Sequence, residues 1–402
     1  MTAPQNAAAW LDGPRADLTV RSAPYTHPGP GEIVVRNRAV AVNPLDTVKQ
    51  WTGDLMYRWL PYPSVLGEDV AGEVVEVGEG VTRVRPGDRV IGYAVGMEKG
   101  RRHHAEGGFQ RYTVLRAHLV APIPDDMPYE RAVVLPLAVS TAASALFQQD
   151  QLGLAHPTRS APPVRSDVRD TAVPHTADRG SAVRGAAGTA GREAVVVWGA
   201  STSVGSSAIQ LASAAGYTVV TTASPQNHER ALALGATAVV DYRSPSVVAE
   251  VVRALRGCRV VGVLAVGIGS AEPAIAIASS THAPRVTLAS PSVSFEALPR
   301  DGGMSLPFIR TVATLVGRNL AVQVRARSRR IRVRFVWGST LMGNEVGPML
   351  WERFLPRALA DGSFVPSPEP LVVGRGLETV QVGFEALRRG VSAQKVVVLL
   401  DD

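Results

Sequence analysis

The sequence VVVWGASTSVGSSAIQLA, residues 195–212, joins an apolar run to a hydroxyl-rich turn and a helix-like continuation. Such a segment can bind the pyrophosphate of a dinucleotide, because the first N–H groups of a helix have no partner within the helix and carry partial positive charge. A glycine after the strand allows the tight turn, and a glycine in the first helical turn allows close packing on the sheet. We expect the helix to begin near Ser203 and the hydroxyl groups of the turn to donate to phosphate. The predicted cofactor contacts are Gly199, Ser201, Thr202, Ser203, Val204 and Gly205. A glycine-containing turn in an α/β sheet that binds no nucleotide is the alternative.

The next apolar run, YTVVTTASPQNHE from residue 217, bears on the choice of nicotinamide cofactor. An acidic residue at the end of this strand would bind the ribose 2′-hydroxyl of NAD, and none occurs before Glu229. Ser224, His228 and Arg230 stand there instead and suit a 2′-phosphate. We therefore expect NADPH as cofactor. Capping of a helix by Ser224 is a competing role for that residue, and both can hold at once.

The sequence that surrounds these residues has a repeating pattern from residue 194 onward. Near-continuous apolar runs alternate with helix-like stretches, which predicts a parallel sheet covered by helices on both faces, a doubly wound α/β domain. Gly216 and Gly235 stand where C-terminal caps of two helices would be. The predicted strands are AVVVWG (194–199), YTVVTT (217–222), AVVDY (238–242), VVGVLAVG (260–267) and PRVTLAS (284–290).

Residues 1–130 have a different pattern of short Val-rich runs separated by Gly and Pro-Gly-Asp, which predicts a small β-barrel or sandwich. Residues 131–148 indicate a helix interrupted early by Pro136. Near the other end, residues 346–360 are typical of an amphipathic helix, and the chain finishes with an apparent strand.

The formal net charge of +7 over 402 residues comes from two local segments. Residues 325–334, RARSRRIRVR, contain six Arg and are expected to form an exposed, charged edge strand. Residues 155–192 contain six Arg, three Asp and four Pro without any apolar period, which predicts a solvated linker. The remainder is close to neutral, so nucleic-acid binding is disfavoured, although a basic docking arm or patch is the alternative for each segment.

A single cysteine, Cys258, excludes a disulfide framework and a multi-cysteine zinc cluster. The first 20 residues lack the charged-then-apolar order of a signal peptide, and no apolar run was identified that would span a bilayer. A cytoplasmic protein without a membrane anchor is the expectation.

Several segments together resemble the medium-chain dehydrogenase/reductase superfamily, in its quinone-oxidoreductase and enoyl-reductase branch. They are AVNPLDTVKQ, PSVLGEDVAGEVVEVGEGVTRVRPGDRVIGY, GGFQRYTVL, the nucleotide-binding turn with its flanks, and GATAVVDYRSP. The C-terminal stretch from GNEVGPMLWERF to QKVVVLL is similar to trans-acting fungal enoyl reductases that work beside polyketide synthases, and to their "zinc-binding dehydrogenase" relatives.

The resemblance implies an α/β protein with a GroES-like β-barrel catalytic domain plus a doubly wound parallel-sheet Rossmann domain, with the active site between them. Residues 1–130 would form the first part of the catalytic domain, residues 131–305 the NADP-binding domain with the insert at 155–192, and residues 306–402 would complete the catalytic domain. It also implies that Tyr242 lies along the adenosine half of the cofactor. Val266 and Gly267 would pass the nicotinamide ribose.

Zinc is not expected, because the positions that bind it in related alcohol dehydrogenases read Asp46 and Gly67-Glu68-Asp69 here. Without a metal, a hydrogen-bond donor must polarise the acceptor while the cofactor delivers hydride. Candidate donors in the first loop are Asn43, Lys49 and Tyr57. The competing roles are a structural hydrogen bond for Asn43 and a solvated surface position for Lys49.

The predicted activity is NADPH-dependent reduction of an activated C=C bond in an enone or enoyl thioester. A quinone or carbonyl reductase on the same scaffold is the first alternative, and a non-catalytic NADPH-binding interaction protein is the second. The resemblance also suggests an acyl-carrier or polyketide synthase partner. A monomer and a homodimer are both compatible with the sequence.

Overall fold

The computed structural model describes residues 4–157, 182–183, 191–293 and 305–400. The expected linker at 155–192 therefore lies largely outside the described residues. Of it, Ala182–Val183 forms a short strand at the edge of a sheet.

The N-terminal part folds into β-sheet structure, as the short Val-rich runs predict. One sheet has seven strands. Six of them have the order β16-β17-β3-β5-β6-β8, and the seventh, β7, pairs with β3. A second sheet has the order β2-β1-β4. The N-terminal strands are β1 (Asn6–Leu11), β2 (Leu18–Ala23), β3 (Glu32–Val42), β4 (Ser64–Val65), β5 (Asp69–Val77), β6 (Arg89–Tyr93), β7 (Tyr112–Arg116) and β8 (Val120–Pro122). Two short helices, α1 (Pro44–Thr52) and α2 (His103–Glu106), connect them.

The last two strands return to this N-terminal sheet. β17 (Gln394–Leu399) pairs antiparallel with β3, and β16 (Glu369–Arg375) pairs parallel with β17. Helix α12 (Thr379–Arg389) connects them. The chain's C-terminal segment thus packs beside the loop that follows β3, where the candidate catalytic residues lie.

The central part is a doubly wound domain. Six strands are parallel in the order β15-β14-β13-β10-β11-β12, which is the arrangement of dinucleotide-binding sheets, and β9 (Ala182–Val183) adds an antiparallel edge. The parallel strands are β10 (Glu193–Trp198), β11 (Thr218–Ala223), β12 (Ala238–Asp241), β13 (Arg259–Ala265), β14 (Arg285–Leu288) and β15 (Arg332–Phe335). The helices between them are α5 (Ser203–Ala214), α6 (His228–Ala233), α7 (Val247–Ala254), α8 (Ala271–Thr281) and α9 (Leu306–Ser328).

The boundary expected at residue 305 needs correction. β15 pairs with β14 in the parallel sheet, and Val322 and Ala326 near the end of α9 are buried in the same core, so the end of α9 and β15 belong with the Rossmann domain. Phe308 and Leu315, nearer the start of α9, pack against the core of the N-terminal domain. The expectation of one edge strand over residues 325–334 is also wrong in part. Residues 325–328 end α9, and only Arg332 onward forms the edge strand.

Helices α3 (Tyr129–Ala132) and α4 (Pro136–Phe147) link the two domains, and Pro136 begins α4. Contrary to the expectation from sequence, Tyr129–Phe147 is long and apolar enough to cross a membrane, but 83% of this apolar stretch is buried inside the protein. That burial is typical of a core helix, and α4 packs directly against α5. The amphipathic stretch at 346–360 is helical, as α10 (Val346–Pro348), a π-helical stretch (Met349–Phe354) and α11 (Leu355–Ala360).

Candidate active site

The turn after β10 has the geometry that a pyrophosphate site needs. Gly199 has φ +95°, a conformation that side chains disfavour. A Cβ atom at Gly205 would lie 2.1 Å from the carbonyl oxygen of Gly199, so only glycine fits this close approach. Helix α5 begins at Ser203, and the backbone from Ser201 to Val204 is partly exposed at its N-terminus. The first-turn N–H groups of Ser203 and Val204 therefore face the end of the sheet, where an anion can bind.

Thr202 has a different role from the one expected. Its hydroxyl accepts from the backbone N–H of Gly205 at 2.9 Å and donates to the carbonyl oxygen of Gly199 at 2.8 Å. Because both hydrogen bonds lie inside the turn, the hydroxyl caps α5 and is not available as a free donor to phosphate. The N-terminal cap of α5 thus explains why threonine stands at position 202, where nucleotide-binding turns commonly have glycine.

The end of β11 carries Ser224 and His228, as expected for the cofactor-specificity position. Ser224 is buried and accepts from the side-chain amide of Asn227 at 3.0 Å, which leaves its own hydroxyl proton available. The ring Nε2 of His228 lies 3.2 Å from the carbonyl oxygen of Ala223, so that nitrogen carries the proton. Ser224 precedes a short 3₁₀ turn without a side-chain capping bond, so the capping role is not seen.

Arg230 does not contribute to this position. Its guanidinium donates to Ser367 at 3.1 Å and lies 3.9 Å from Glu369, so it ties α6 to the C-terminal segment. Arg243, which sequence reasoning passed over, lies beside the exposed Tyr242 with its guanidinium 5.4 Å from the ring centroid. The pattern Tyr-Arg after β12 is the signal that marks this exposed cation.

The residues after the fourth strand lie next to the phosphate turn. The carbonyl oxygen of Val266 would lie 2.7 Å from a Cβ atom at Gly199. Gly267 has φ +102°, and its N–H donates to Ser290 at 2.8 Å. The parallel order of β10 to β13 brings the loops holding Gly199, Ser224, Tyr242 and Val266 to one edge of the sheet, as their assigned contacts require.

Of the three candidate donors, Asn43 is committed to a buried polar network. It precedes α1, donates from its side chain to Asp46 at 3.1 Å and to Asp69 at 2.9 Å, and accepts from Lys395. Because every polar atom of this side chain has an internal partner, the structural role for Asn43 is the one that the geometry supports.

Lys49 is not a solvated surface residue, contrary to the competing interpretation from sequence. Its side chain is fully buried, and its ammonium donates to Asp54 at 2.5 Å and to the carbonyl oxygen of Tyr57 at 2.9 Å. It also lies 4.3 Å from the ring centroid of Tyr62. These contacts hold the loop after α1 and leave Lys49 occupied.

Tyr57 differs from the other two, because its buried hydroxyl has no hydrogen-bond partner among the described residues. Burial and the nearby carboxylates, of which Glu68 contributes most, raise the pKa of Tyr57 well above 10. The hydroxyl therefore keeps its proton at neutral pH. An unsatisfied buried O–H group can donate to a carbonyl oxygen that develops negative charge.

Three buried acids beside Tyr57 were noted from sequence only as an argument against zinc. Glu68 accepts from Tyr93 at 3.3 Å, its second carboxylate oxygen has no partner among the described residues, and burial raises its pKa well above 4.5. Burial and then the neighbouring Asp69 raise the pKa of Asp46 to about 7. Asp69 itself is paired with Lys395 at 2.8 Å.

Trp337, just after β15, connects the two domains at this point. Its indole N–H donates to Glu98 at 3.0 Å, and its ring centroid lies 6.0 Å from that of Tyr57. A groove of about 490 Å³ is lined in part by Trp337, Glu98 and Thr340. The sequence gives no periodic or motif signal for this contact, since its two sides lie nearly 300 residues apart.

The described residues contain no group of three His, Cys, Asp or Glu side chains arranged to hold a metal ion. Asp46 and Glu68 occupy the positions that the resemblance assigns to zinc ligands, but the nearby cation is the ammonium of Lys395. His103 contacts the carbonyl oxygen of Gly96 at 2.5 Å, and Glu106 pairs with two arginines. These residues do not fit a zinc ion.

The fold and this interdomain site define a medium-chain dehydrogenase/reductase. The alcohol dehydrogenase GroES-like domain model matches residues 29–125. Dehydrogenase pigH of Monascus ruber is 43% identical over 399 residues, covering 99% of this chain and 100% of the relative. Trans-enoyl reductase himH of Aspergillus japonicus is 37% identical, with 98% and 97% covered. The chain therefore belongs to the medium-chain dehydrogenase/reductase superfamily, together with these fungal dehydrogenases and trans-enoyl reductases.

Solved structures agree on the fold. The CurK enoyl reductase aligns with a TM-score of 0.66 at 17% identity, over 99% of this chain and 100% of that one. The quinone oxidoreductase from Coxiella burnetii aligns with a TM-score of 0.63 at 20% identity, again over 99% and 100%. Both likenesses support the two-domain architecture.

Proposed function

We propose that this oxidoreductase uses NADPH to reduce an activated C=C bond, in an enone or enoyl thioester, without a catalytic metal. The observation that carries the proposal is the backbone approach at Gly205, where any side chain would collide with the Gly199 carbonyl and close the anion site at the start of α5. Several relatives of similar length named trans-enoyl reductases support the choice of reaction, among them himH and tndF.

The cofactor preference rests on the end of β11. No carboxylate stands there to bind a free ribose 2′-hydroxyl, and the residues present are Ser224 and His228. A 2′-phosphate suits the hydroxyl of Ser224 as donor, with Arg243 as an exposed cation one strand further along, and His228 lies beside them with its Nε2–H directed to the Ala223 carbonyl. Val266, Gly267 and Tyr242 would lie along the remainder of the cofactor.

When bound, NADPH would supply the hydride that adds to the β-carbon of the acceptor, and a proton, ultimately from solvent, would add to the α-carbon to complete the reduction. The chain must then stabilise charge on the acceptor carbonyl, and Tyr57 is the candidate donor because its protonated hydroxyl is unsatisfied while Asn43 and Lys49 are occupied. The buried surroundings of Tyr57 exclude water and strengthen such a hydrogen bond.

Fluorescence titration with both cofactors and an NADPH-oxidation screen across enones, enoyl thioesters, quinones and simple carbonyls would test the proposal. We expect NADPH to bind at least about tenfold more tightly than NADH, since one charged contact contributes about 1.5–3 kcal/mol. Turnover should be highest with conjugated C=C acceptors, and EDTA should leave it unchanged. Equal affinities for NADPH and NADH would contradict the cofactor preference, a preference for quinones would contradict the substrate class, and stoichiometric zinc would contradict the metal-free mechanism. Binding of NADPH without turnover of any acceptor would favour a non-catalytic NADPH-binding protein.

An acyl-carrier or polyketide synthase partner, a cytoplasmic location and a monomeric or dimeric state belong to the same proposal. Sedimentation of the purified chain distinguishes the last two. Comparison of a free enoyl thioester with the same acyl group on a carrier protein tests the partner, because a carrier-dependent enzyme should show a lower KM for the carrier-bound form.

A further inference from the structure

Helix α9 is apolar on two opposite faces. On the inner face, Val322 and Ala326 are buried in the core of the Rossmann domain, and Phe308 and Leu315 pack against the core of the N-terminal domain. These contacts fix the helix to the protein. They do not account for the apolar residues on the other side.

The outer face carries a row of exposed apolar side chains. Leu306, Ile309, Val316, Leu320 and Val324 are between 51% and 68% exposed, and they make up five of the twelve exposed large hydrophobic side chains among the described residues. With Ala313 they follow one another at intervals of three or four residues, which places them along one line of the helix. This row, residues 306, 309, 313, 316, 320 and 324, is the outer seam, and it runs about 27 Å along the helix.

A continuous row of this kind differs from the isolated apolar side chains that are normal on protein surfaces. A helix that is apolar on both faces is typical of one covered on both sides. Spacing of three and four residues along a straight line is the pattern by which one helix packs against another. Ala313 and the neighbouring Gly317 would let the backbone of a second helix approach closely.

Within residues 305–344, the described segment that contains the outer seam, the charged side chains are all positive. Residues 305–344 contain eight Arg and no Asp or Glu. Arg310 and Arg327 flank the seam, and neither makes an ion pair with the described residues. Nearby, Arg318 donates to the Ser292 carbonyl at 3.0 Å, and Arg334 pairs with Asp150 at 2.9 Å.

This charge decides between possible occupants. A second copy of the chain would place like charges against one another, which opposes pairing of two seams. A lipid surface favours aromatic side chains such as Trp and Phe on the inserted face, and the outer seam contains only Leu, Ile, Val and Ala. A helix with apolar residues on one face and carboxylates at its flanks satisfies both the seam and its arginines.

We propose that the outer seam of α9 docks an acidic amphipathic helix of a partner protein. The apolar residues of that helix pack along the seam, and its carboxylates pair with Arg310 and Arg327. The surface is independent of the cofactor turn and of Tyr57, so docking and turnover can be measured separately.

The test uses a labelled synthetic peptide of about four heptads, with Leu at positions a and d, Glu at e and g, and Ala or Gln elsewhere. A second peptide with Lys in place of Glu controls for charge. Fluorescence anisotropy with the full-length protein should give saturable binding of the acidic peptide, at least about tenfold tighter than the lysine peptide, and weaker as salt rises from about 0.05 to 0.5 M.

The variant Val316→Glu/Leu320→Glu should weaken peptide binding at least about tenfold while NADPH binding stays unchanged, which shows that the protein is folded. The control Arg388→Glu/Arg389→Glu makes a larger change in net charge on exposed residues of α12 and should bind the peptide like the parent. Equal binding of the two peptides, or no loss in the seam variant, would overturn the proposal. Seam-dependent binding to phosphatidylserine vesicles, or a seam-dependent dimer in sedimentation, would overturn it in favour of a membrane or a second copy.

Discussion

The Nζ atom of Lys395 lies 2.8 Å from Oδ2 of Asp69, and both side chains are almost completely buried. Lys395 is on the last strand, β17, whereas Asp69 begins β5, and β3 lies between the two strands. The same ammonium also donates to Asn43, and Asp69 accepts from the backbone N–H of Leu137 at 2.6 Å. The C-terminal strand is therefore joined through one buried cation to the loop that carries the candidate catalytic residues.

Replacing this cation should destabilise the protein strongly. Lys395→Met leaves Asp69 buried without its charge partner, for which the expected loss in the free energy of unfolding is about 3–5 kcal/mol. Asp69→Asn should also destabilise, but the double variant should lose less than the sum of the single losses by at least about 1 kcal/mol. Urea denaturation of the four proteins measures this coupling, and additive losses would show that the pair does not act as a unit.

The raised pKa of Asp46 predicts a pH-dependent stability. An unfolded Asp loses its proton near pH 4, whereas Asp46 in the folded protein keeps it up to about pH 7, so the folded state holds the extra proton between these values. The free energy of unfolding should therefore fall as pH rises from about 4 to 7, by at most about 1.4 kcal/mol per pH unit from this residue. Asp69, Glu68 and Lys395 face Asp46 and shape the same transition.

Asp46→Asn provides the matched variant for this pH dependence. Its side-chain oxygen can still accept from the backbone N–H of Asn43, which bonds Asp46 at 2.7 Å, but it has no proton to lose. Urea denaturation at pH 5, 6, 7 and 8 should show a shallower decline than in the parent, with the remainder due to Glu68. Parallel pH profiles for the two proteins would contradict the assignment to Asp46.

Tyr57→Phe should separate stability from catalysis. The hydroxyl has no hydrogen-bond partner in the part of the chain that the structure describes, so its removal should change the free energy of unfolding by less than about 1 kcal/mol and leave NADPH affinity unchanged. If Tyr57 donates to the acceptor, kcat/KM should fall about a hundredfold. Tyr62→Phe is the control, since that hydroxyl is also buried and unpartnered but lies beside the occupied Lys49. Equal activity in the two variants would remove Tyr57 from the mechanism.

The local sequence predicts the Rossmann elements well, because their strands are buried on both faces and need no long-range information to be recognised. The turn at 199–205 and the strand ends were placed correctly for the same reason. The loop with the candidate donors was less predictable. Lysine is usually exposed, and Lys49 is buried because the loop after α1 folds back and satisfies its ammonium through Asp54 and the carbonyl of Tyr57, contacts that no periodic pattern marks.

The other differences have two causes, the continuity of a helix and contacts between distant parts of the chain. Arg325 and Arg327 belong to a helix because α9 continues from an apolar segment that the local arginine alternation hides. Lys395 and Trp337 reach the site from distant parts of the chain, and no spacing rule links them to Asp69 or Tyr57. Residues that meet only through sheet order or domain packing leave no local pattern.

The phosphate turn gives the most direct test of the cofactor site, through two neighbouring substitutions with different physical effects. Gly205→Ala places a Cβ atom 2.1 Å from a backbone oxygen, so α5 must move away from the sheet, and NADPH affinity should fall at least about tenfold with a loss of about 1–3 kcal/mol in stability. Thr202→Ala removes only the cap, so stability should fall by about 1 kcal/mol while the anion-binding N–H groups remain.

Gly13→Ala is the control, because its Cβ would meet no atom within 4 Å. Cofactor titration and thermal unfolding of the three variants measure both effects. Should Gly205→Ala bind NADPH as the parent does, the close approach of α5 to Gly199 would have no role in holding the pyrophosphate.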